Sequence, residues 1–246
     1  MHTEPNTRAD LPDRPMFPFP DDDRLDPHPW YERLRAEAPV FGVRTPRGGF
    51  AWLVTRYADV RAVLTDPRFN RRDTVDDAMM QATKGMGGGA SSSMLYTDPP
   101  EHTAIRGLVA RHFTARRVEL IRPRAEQITA ELLDAMLAKG SPADLLADFA
   151  RPLPTKIICE LLGLPVDDSE RLRHNVDLLM SVHGADPVEL GRAYHFLMGY
   201  LGDAVATLRA RPGEDLLSAL ITDPAPHGRE VTDDDLVGTA MLLFVT

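Results

Sequence analysis

The sequence predicts a mainly α-helical fold with a small β hairpin near its N-terminus. Three observations predict it. In the second half, apolar residues recur every three or four positions, most clearly at Leu190, Tyr194, Leu197, Leu201, Val205 and Leu208, the period of a core-facing helix. Near the start, two short β-rich runs, Val40 to Arg44 and Ala51 to Thr55, flank Pro46-Arg47-Gly48-Gly49, as a hairpin requires. The chain has 246 residues, 43% of them apolar, enough to bury a core without disulfides.

Taken in order, residues 1–26 read as an extended arm rich in proline and aspartate, with no regular structure. Residues 27–246 form the rest of the fold. Pro27 to Ala38 is a short amphipathic helix ended by Pro39, and the hairpin follows it. Tyr57 to Leu64 is a helix with Val60, Val63 and Leu64 on one side. Asp73 to Ser93, with Gly85, Gly87, Gly88 and Gly89 and no apolar period, reads as a long loop; such loops are often functional. Helices are then expected over Pro99–His112, Pro123–Leu137, Phe149–Leu162, Asp168–Val182, Pro187–Arg209 and Glu214–Ile221. In the second of these, Ile128, Leu132, Leu133, Met136 and Leu137 form one stripe. Thr232 caps a last helix, which is apolar nearly all round from Leu236 to Val245 and therefore expected to be buried.

Composition narrows the function. The longest apolar run, Ala240 to Val245, is six residues, far short of the roughly 20 that a transmembrane helix needs. Met1 to Trp30 is acidic and holds seven of the 21 prolines, unlike a signal peptide. A single cysteine, Cys159, excludes an intramolecular disulfide and suits a reducing, cytoplasmic setting. A net charge of −9 argues against general nucleic-acid binding. Against that background, residues 101–124 carry six arginines (106, 111, 116, 117, 122, 124) facing only Glu101 and Glu119. The stretch is a candidate anion site or a solvated helix face.

The chemistry concentrates at Thr97-Asp98-Pro99-Pro100-Glu101-His102-Thr103-Ala104-Ile105-Arg106. Asp98 suits an N-cap, Pro99 a first helical position, and Glu101 the closing position of a capping box. His102 and Arg106 are then i and i+4 and share a face. Both donate hydrogen bonds, close to the positive end of the helix dipole. The pair is a cradle for carboxylate or phosphate, or an exposed pair balanced by local acids.

In its order of residues, Asp-Pro-Pro-Glu-His-Thr-x-x-Arg at 98–106 resembles the helix-C motif of the soluble bacterial cytochrome P450 family, and Phe113-Thr114-x-Arg116-Arg117 its continuation. Asp148-Phe149-Ala150-x-Pro152-Leu153-Pro154 with Ile158 to Gly163 resembles the family's helix-E region. Asp215 to Leu220 and Thr232 to Thr239 resemble the approach to and start of its helix I. The resemblance implies a P450-like helical fold with a small N-terminal β hairpin, truncated within helix I. It implies that His102 and Arg106 bind the propionates of haem (heme b, iron). Met94, Leu95, Phe113 and Thr246 would lie near the haem, and Met86, Val182, Met241 and Phe244 would line the substrate pocket.

Two family features have no counterpart. The iron of a haem-thiolate enzyme is held by a cysteine, in a Gly-containing loop near the C-terminus. Cys159 lies instead in the apolar helical stretch Lys156 to Leu162 and reads as a packing residue; no metal ligand and no catalytic residue is expected in this chain. The family's Glu-x-x-Arg pair belongs beyond helix I. Glu32/Arg35, Glu119/Arg122, Glu170/Arg173 and Glu189/Arg192 all precede it and are ordinary helical pairs. Thr246 resembles the first position of the oxygen-activating kink, and the last helix has no stop signal. The chain is accordingly expected to be the N-terminal portion of a longer monooxygenase.

Gly85-Met86-Gly87-Gly88-Gly89-Ala90 mimics a dinucleotide fingerprint but lacks the preceding strand. The eight histidines include no zinc-binding spacing. Two functions remain. One is a haem-thiolate monooxygenase that hydroxylates or epoxidises a small organic substrate with O2. Its electrons would come from NAD(P)H through a ferredoxin-type partner, and it would be monomeric, with no membrane and no nucleic acid involved. The other is a non-catalytic helical module, or an inactive remnant, using the His102/Arg106 cradle for another acidic ligand.

Overall fold

The computed structural model describes residues 14–19, 26–45, 49–70, 94–180, 186–223 and 231–245. The chain divides into two compact units, one of Met1–Gln81 with Val182–Gly184 and one of Ala82–Ser181 with Ala185–Thr246.

The smaller unit is built on the hairpin. β1 (Val40–Arg44) and β2 (Phe50–Val54) pair antiparallel, from Val40 opposite Val54 to Arg44 opposite Phe50. The turn is closed by the Thr45 N–H to Gly49 carbonyl bond (2.9 Å) and by the Gly49 N–H donating to Thr45 Oγ1 (3.0 Å). A side chain at Gly42 would put its Cβ 2.7 Å from the Phe50 ring, so a larger residue there requires that ring to shift. Part of the arm, expected to have no regular structure, docks on the outer edge of β1. Arg44 N–H donates to the Pro15 carbonyl (3.0 Å) and Phe17 N–H to the Arg44 carbonyl (2.8 Å). Phe19 is thereby buried, stacked on Trp30 at 5.6 Å and edge-on to Tyr31 at 5.3 Å. Trp30 and Tyr31 open α1 (Trp30–Glu37), whose buried residue is Leu34. α2 (Tyr57–Thr65) has no buried residue: of the three residues read as sharing one side, Val60 and Val63 are half-buried and Leu64 is exposed.

The larger unit is helical: α3 (Glu101–Ala110), α4 (Ala115–Lys139), α5 (Pro152–Leu162), α6 (Ser169–Met180), α7 (Pro187–Ala210), α8 (Leu216–Thr222) and α9 (Asp233–Val245). Helix α7 is central, packed on α6, α8 and α9. Its Leu197, Leu201 and Val205 are each at most 1% exposed, as their spacing requires. They meet Cys159 and Leu162 of α5, Leu172 of α6, Leu217 and Leu220 of α8, and Leu236 and Ala240 of α9. Each fully buried leucine contributes about 1.5–3 kcal/mol relative to exposure.

Three boundaries are instructive. Helix α4 begins eight residues before Pro123 and runs through it. Pro123 and Glu119, whose carbonyl loses its helical donor there, are both exposed, where a lost backbone bond costs least. Helix α5 ends at Gly163, which adopts φ +74 while the Leu164 N–H donates to the Cys159 carbonyl (2.8 Å). A Cβ on Gly163 would also collide with the Asp215 carboxyl group. Helix α9 starts with the expected cap in reciprocal form: Asp235 N–H donates to Thr232 Oγ1 (3.2 Å) and Thr232 N–H to Asp235 Oδ2 (3.1 Å).

Candidate functional site

Helix α3 carries the two residues singled out by the sequence. It begins at Glu101, two residues later than the Pro99 start expected, with a Pro99-Pro100 turn before it. Pro100 holds the N-cap position without a side-chain cap bond. The Asp98 carbonyl instead receives the His102 N–H (3.0 Å), and the Pro100 carbonyl receives the Ala104 N–H (3.1 Å). Ile105, Leu108 and Val109 fix the helix by burial. His102, in the first turn, is half-buried, and Arg106 one turn on is exposed. Neither side chain makes a hydrogen bond or ion pair among the described residues.

The short 3-10 turn Met94–Tyr96 lies against α3 on one side and α9 on the other. Met94 packs on the core, while Leu95 is 38% and Phe113 45% exposed. Met241 and Phe244 are half-buried near the end of α9 and also pack on the core. The structure thus brings Met94 and Leu95 next to α3 and joins that region to the helix bearing Met241 and Phe244. Met86, Val182 and Thr246 lie outside the described residues.

Cys159 is 0% exposed within the core. Burial, first, and then the nearby carboxylates of Asp168 and Glu160 push its thiol up to about 12. A protonated, enclosed thiol has neither the charge nor the access of an iron ligand. Of the four Glu-x-x-Arg pairs, Glu119/Arg122 is an ion pair at 2.8 Å, whereas Arg173 turns to Asp177 at 2.8 Å.

Sequence reasoning missed two polar links. At the C-terminal end of α3, His112 Nε2 lies 3.1 Å and Arg111 Nε 3.7 Å from Asp223 Oδ2, beyond the end of α8. Between α6 and α7, the Tyr200 hydroxyl donates to Asp168 Oδ2 (2.8 Å), and Arg171 pairs with the same carboxylate at 3.1 Å. The Arg171 guanidinium also covers the Phe196 ring at 5.0 Å. Desolvation, then the hydrogen bond to Asp168, raises the Tyr200 hydroxyl well above the usual tyrosine range. No spacing signal marks either link.

Among the described residues, no group of three or more His, Cys, Asp or Glu could hold a metal ion. No described helix is long and apolar enough to cross a membrane.

The His102/Arg106 pair, without a partner among the described residues, is chemically suited to a carboxylate or phosphate. No protein-family model matches the chain. The P450 monooxygenase PikC of Streptomyces venezuelae is 42% identical over 247 residues, covering 99% of this chain and 58% of PikC. The mycinamicin IV hydroxylase/epoxidase of Micromonospora griseorubida is 44% identical over 231 residues, covering 93% of this chain and 57% of that enzyme. The crystal structure of CYP105P1 in complex with filipin I superimposes with a TM-score of 0.80 at 36% identity, over 95% of this chain and 58% of that one. By sequence and by fold, the chain is homologous to the bacterial cytochrome P450s. It spans somewhat less than three fifths of the length of these relatives.

Proposed function

We propose that this chain is the propionate-gripping and pocket-forming part of a haem-thiolate monooxygenase. The observation that carries the reading is the state of α3: His102 and Arg106 share a face and neither is committed to a partner among the described residues, in a chain homologous to P450s. Haem, when bound, supplies the oxygen chemistry. The residues here would hold and orient it. His102 and Arg106 would donate to the two propionates, and charge-assisted bonds of this kind contribute about 1.5–3 kcal/mol each. Met94, Leu95 and Phe113 would pack against the ring. Met241 and Phe244 would line the substrate pocket.

The reaction would place one atom of O2 in a small organic substrate and release the other as water. Hydroxylation and epoxidation, the activities in the name of the Micromonospora relative, are the forms proposed. Two electrons would come from NAD(P)H through a ferredoxin-type donor, in a soluble, cytoplasmic, monomeric enzyme. The thiolate would come from polypeptide beyond Thr246.

One observation favours a second reading. The chain's single cysteine is sealed in the core, so the chain as it stands suits a binding module, or an inactive remnant, that uses the same cradle for another acidic ligand. Expressing the chain as given, and the same gene read on past Thr246, separates the two. Absorption with reductant and CO should show the thiolate-haem signature in the longer form and not in the shorter. The signature in the 246-residue chain would overturn the assignment of the ligand.

A further inference from the structure

Helices α3 and α8 end at the same place. Arg111 caps α3, and His112 is folded back on its last turn by the His112 N–H to Val109 carbonyl bond (3.0 Å). Asp223 caps α8, its own N–H donating to the Ala219 carbonyl (3.0 Å). There His112 Nε2 lies 3.1 Å from Asp223 Oδ2. The two side chains differ in access to water: the imidazole is 9% and the carboxylate 41% exposed. Other charged groups border the spot. Arg111 Nε is 3.7 Å from the same Asp223 oxygen. Glu214 and Asp215, in the turn before α8, line a cavity of about 390 Å³ together with His112 and Asp223. Asp215 is committed to α8, accepting from the Ser218 N–H (2.8 Å) and from its hydroxyl (2.7 Å). Asp223 is therefore the carboxylate placed to pair with His112.

We infer that His112 and Asp223 form a proton-operated latch, which clamps the C-terminal end of α3 to the end of α8 and so sets where the His102/Arg106 face stands. Both helices bring their carbonyl ends, the negative poles of their dipoles, to this spot, and Asp223 adds a full negative charge. A protonated imidazole complements all three. It does so where the side chain is largely shut off from water, so salt screens the pair little. Histidine changes charge near neutrality, ordinarily at about pH 6.5. The latch is closed below that range and released as pH rises through it. Helix α3 is ten residues long, a rod of about 15 Å, so a shift at its end is carried to Arg106 and His102. His112 and Asp223 are thus positioning residues, which act through α3. The consequence for haem rests on the proposed reading of the His102/Arg106 face.

Hydrogen exchange at the α3 amides Ile105 to Ala110 tests the latch, in the 246-residue chain, corrected for the intrinsic rate. Between about pH 5.5 and about pH 8, protection in the natural chain should fall at least about threefold. His112→Gln and Asp223→Asn should each remove that step and leave the lower protection at both pH values. Arg111→Gln, which takes away the other cation beside Asp223, should keep the step. If His112→Gln fails to fold, Asp223→Asn at its partly exposed site carries the test. No step in the natural chain, or the same step in Asp223→Asn, overturns the inference. A step shared by the amides of α7 assigns the effect to global unfolding and also overturns it. Haem titration of the gene product read on past Thr246 supplies the second arm. Asp223→Asn should weaken haem binding at least about threefold at the lower pH and leave it unchanged at the higher; equal affinity at both overturns the link to α3. A step in exchange in a protein that takes up no haem sinks the functional reading alone, and haem uptake without the step sinks this inference alone.

Discussion

Arg106 and Arg124 are both helical arginines in the same arginine-rich stretch, and the fold treats them differently. Arg124 on α4 donates to Glu160 of α5 at 2.5 Å, and its guanidinium is raised mainly by that bond. Arg106 on α3 has no such partner among the described residues. The same contrast runs through the larger unit. Around Cys159, Leu162 and Leu201 every side chain is closed in by its neighbours. On α3, the buried side is just as complete, at Ile105, Leu108 and Val109, but the His102 and Arg106 side chains have no hydrogen-bond or ion-pair partner among the described residues. Residues that stabilise the fold are paired with one another; those we propose for a ligand have no partner among the described residues.

The largest effect expected on the closed side is that of Leu201→Ala. It should destabilise the unit by about 2–5 kcal/mol in urea titrations, the cost of a cavity in a close-packed core. His102→Ala with Arg106→Ala should change stability by no more than about 0.5 kcal/mol, as substitutions outside the packed core and its hydrogen-bond networks do. A loss for the double variant as large as that for Leu201→Ala would erase the contrast. Gly163→Ala comes next. It forces a Cβ into a left-handed backbone and against the Asp215 carboxyl group, and should cost about 2 kcal/mol, read as a lowered Tm.

A pH series sharpens the closed side further. The Cys159 thiol has a folded value near 12 against an ordinary 9.0. Between those values the unfolded chain releases the proton and the folded chain keeps it. The folded state then binds more protons, so stability falls as pH rises above about 9 and is unaffected by this group below it. Cys159→Ala should flatten that fall, and an unchanged alkaline slope would contradict the burial argument. A small effect is expected for Arg124→Ala, about 0.5–1 kcal/mol at low ionic strength and less in high salt, because the pair is partly exposed.

How much of this was legible in the sequence follows from where each signal resides. Helix α7 and the hairpin were readable because Leu197, Leu201 and Val205, and the strands around Gly49, carry their periods locally. The full length of α4 was hidden by Pro123, which reads as punctuation but sits on an exposed face where the helix tolerates it. Residues 15–17 were unreadable because their pairing partner is the backbone edge of β1, not a side-chain pattern. The His112–Asp223 and Tyr200–Asp168 links join residues far apart in the chain, so no spacing announces them. His102 and Arg106 were legible as a pair from i, i+4 geometry and from the order of residues around them. The start of their helix was not, because Pro99-Pro100 forms a turn where the capping pattern placed the first helical residues.

The central claim is that the His102/Arg106 face of α3 is held in reserve for the acidic arms of a cofactor. Haem titration of the gene product read on past Thr246, with and without His102→Ala and Arg106→Ala, tests it most directly. Losing two charge-assisted bonds of about 1.5–3 kcal/mol each should raise the Kd for haem at least about a hundredfold while the urea midpoint stays unchanged. Equal haem affinity in the two proteins would contradict the account.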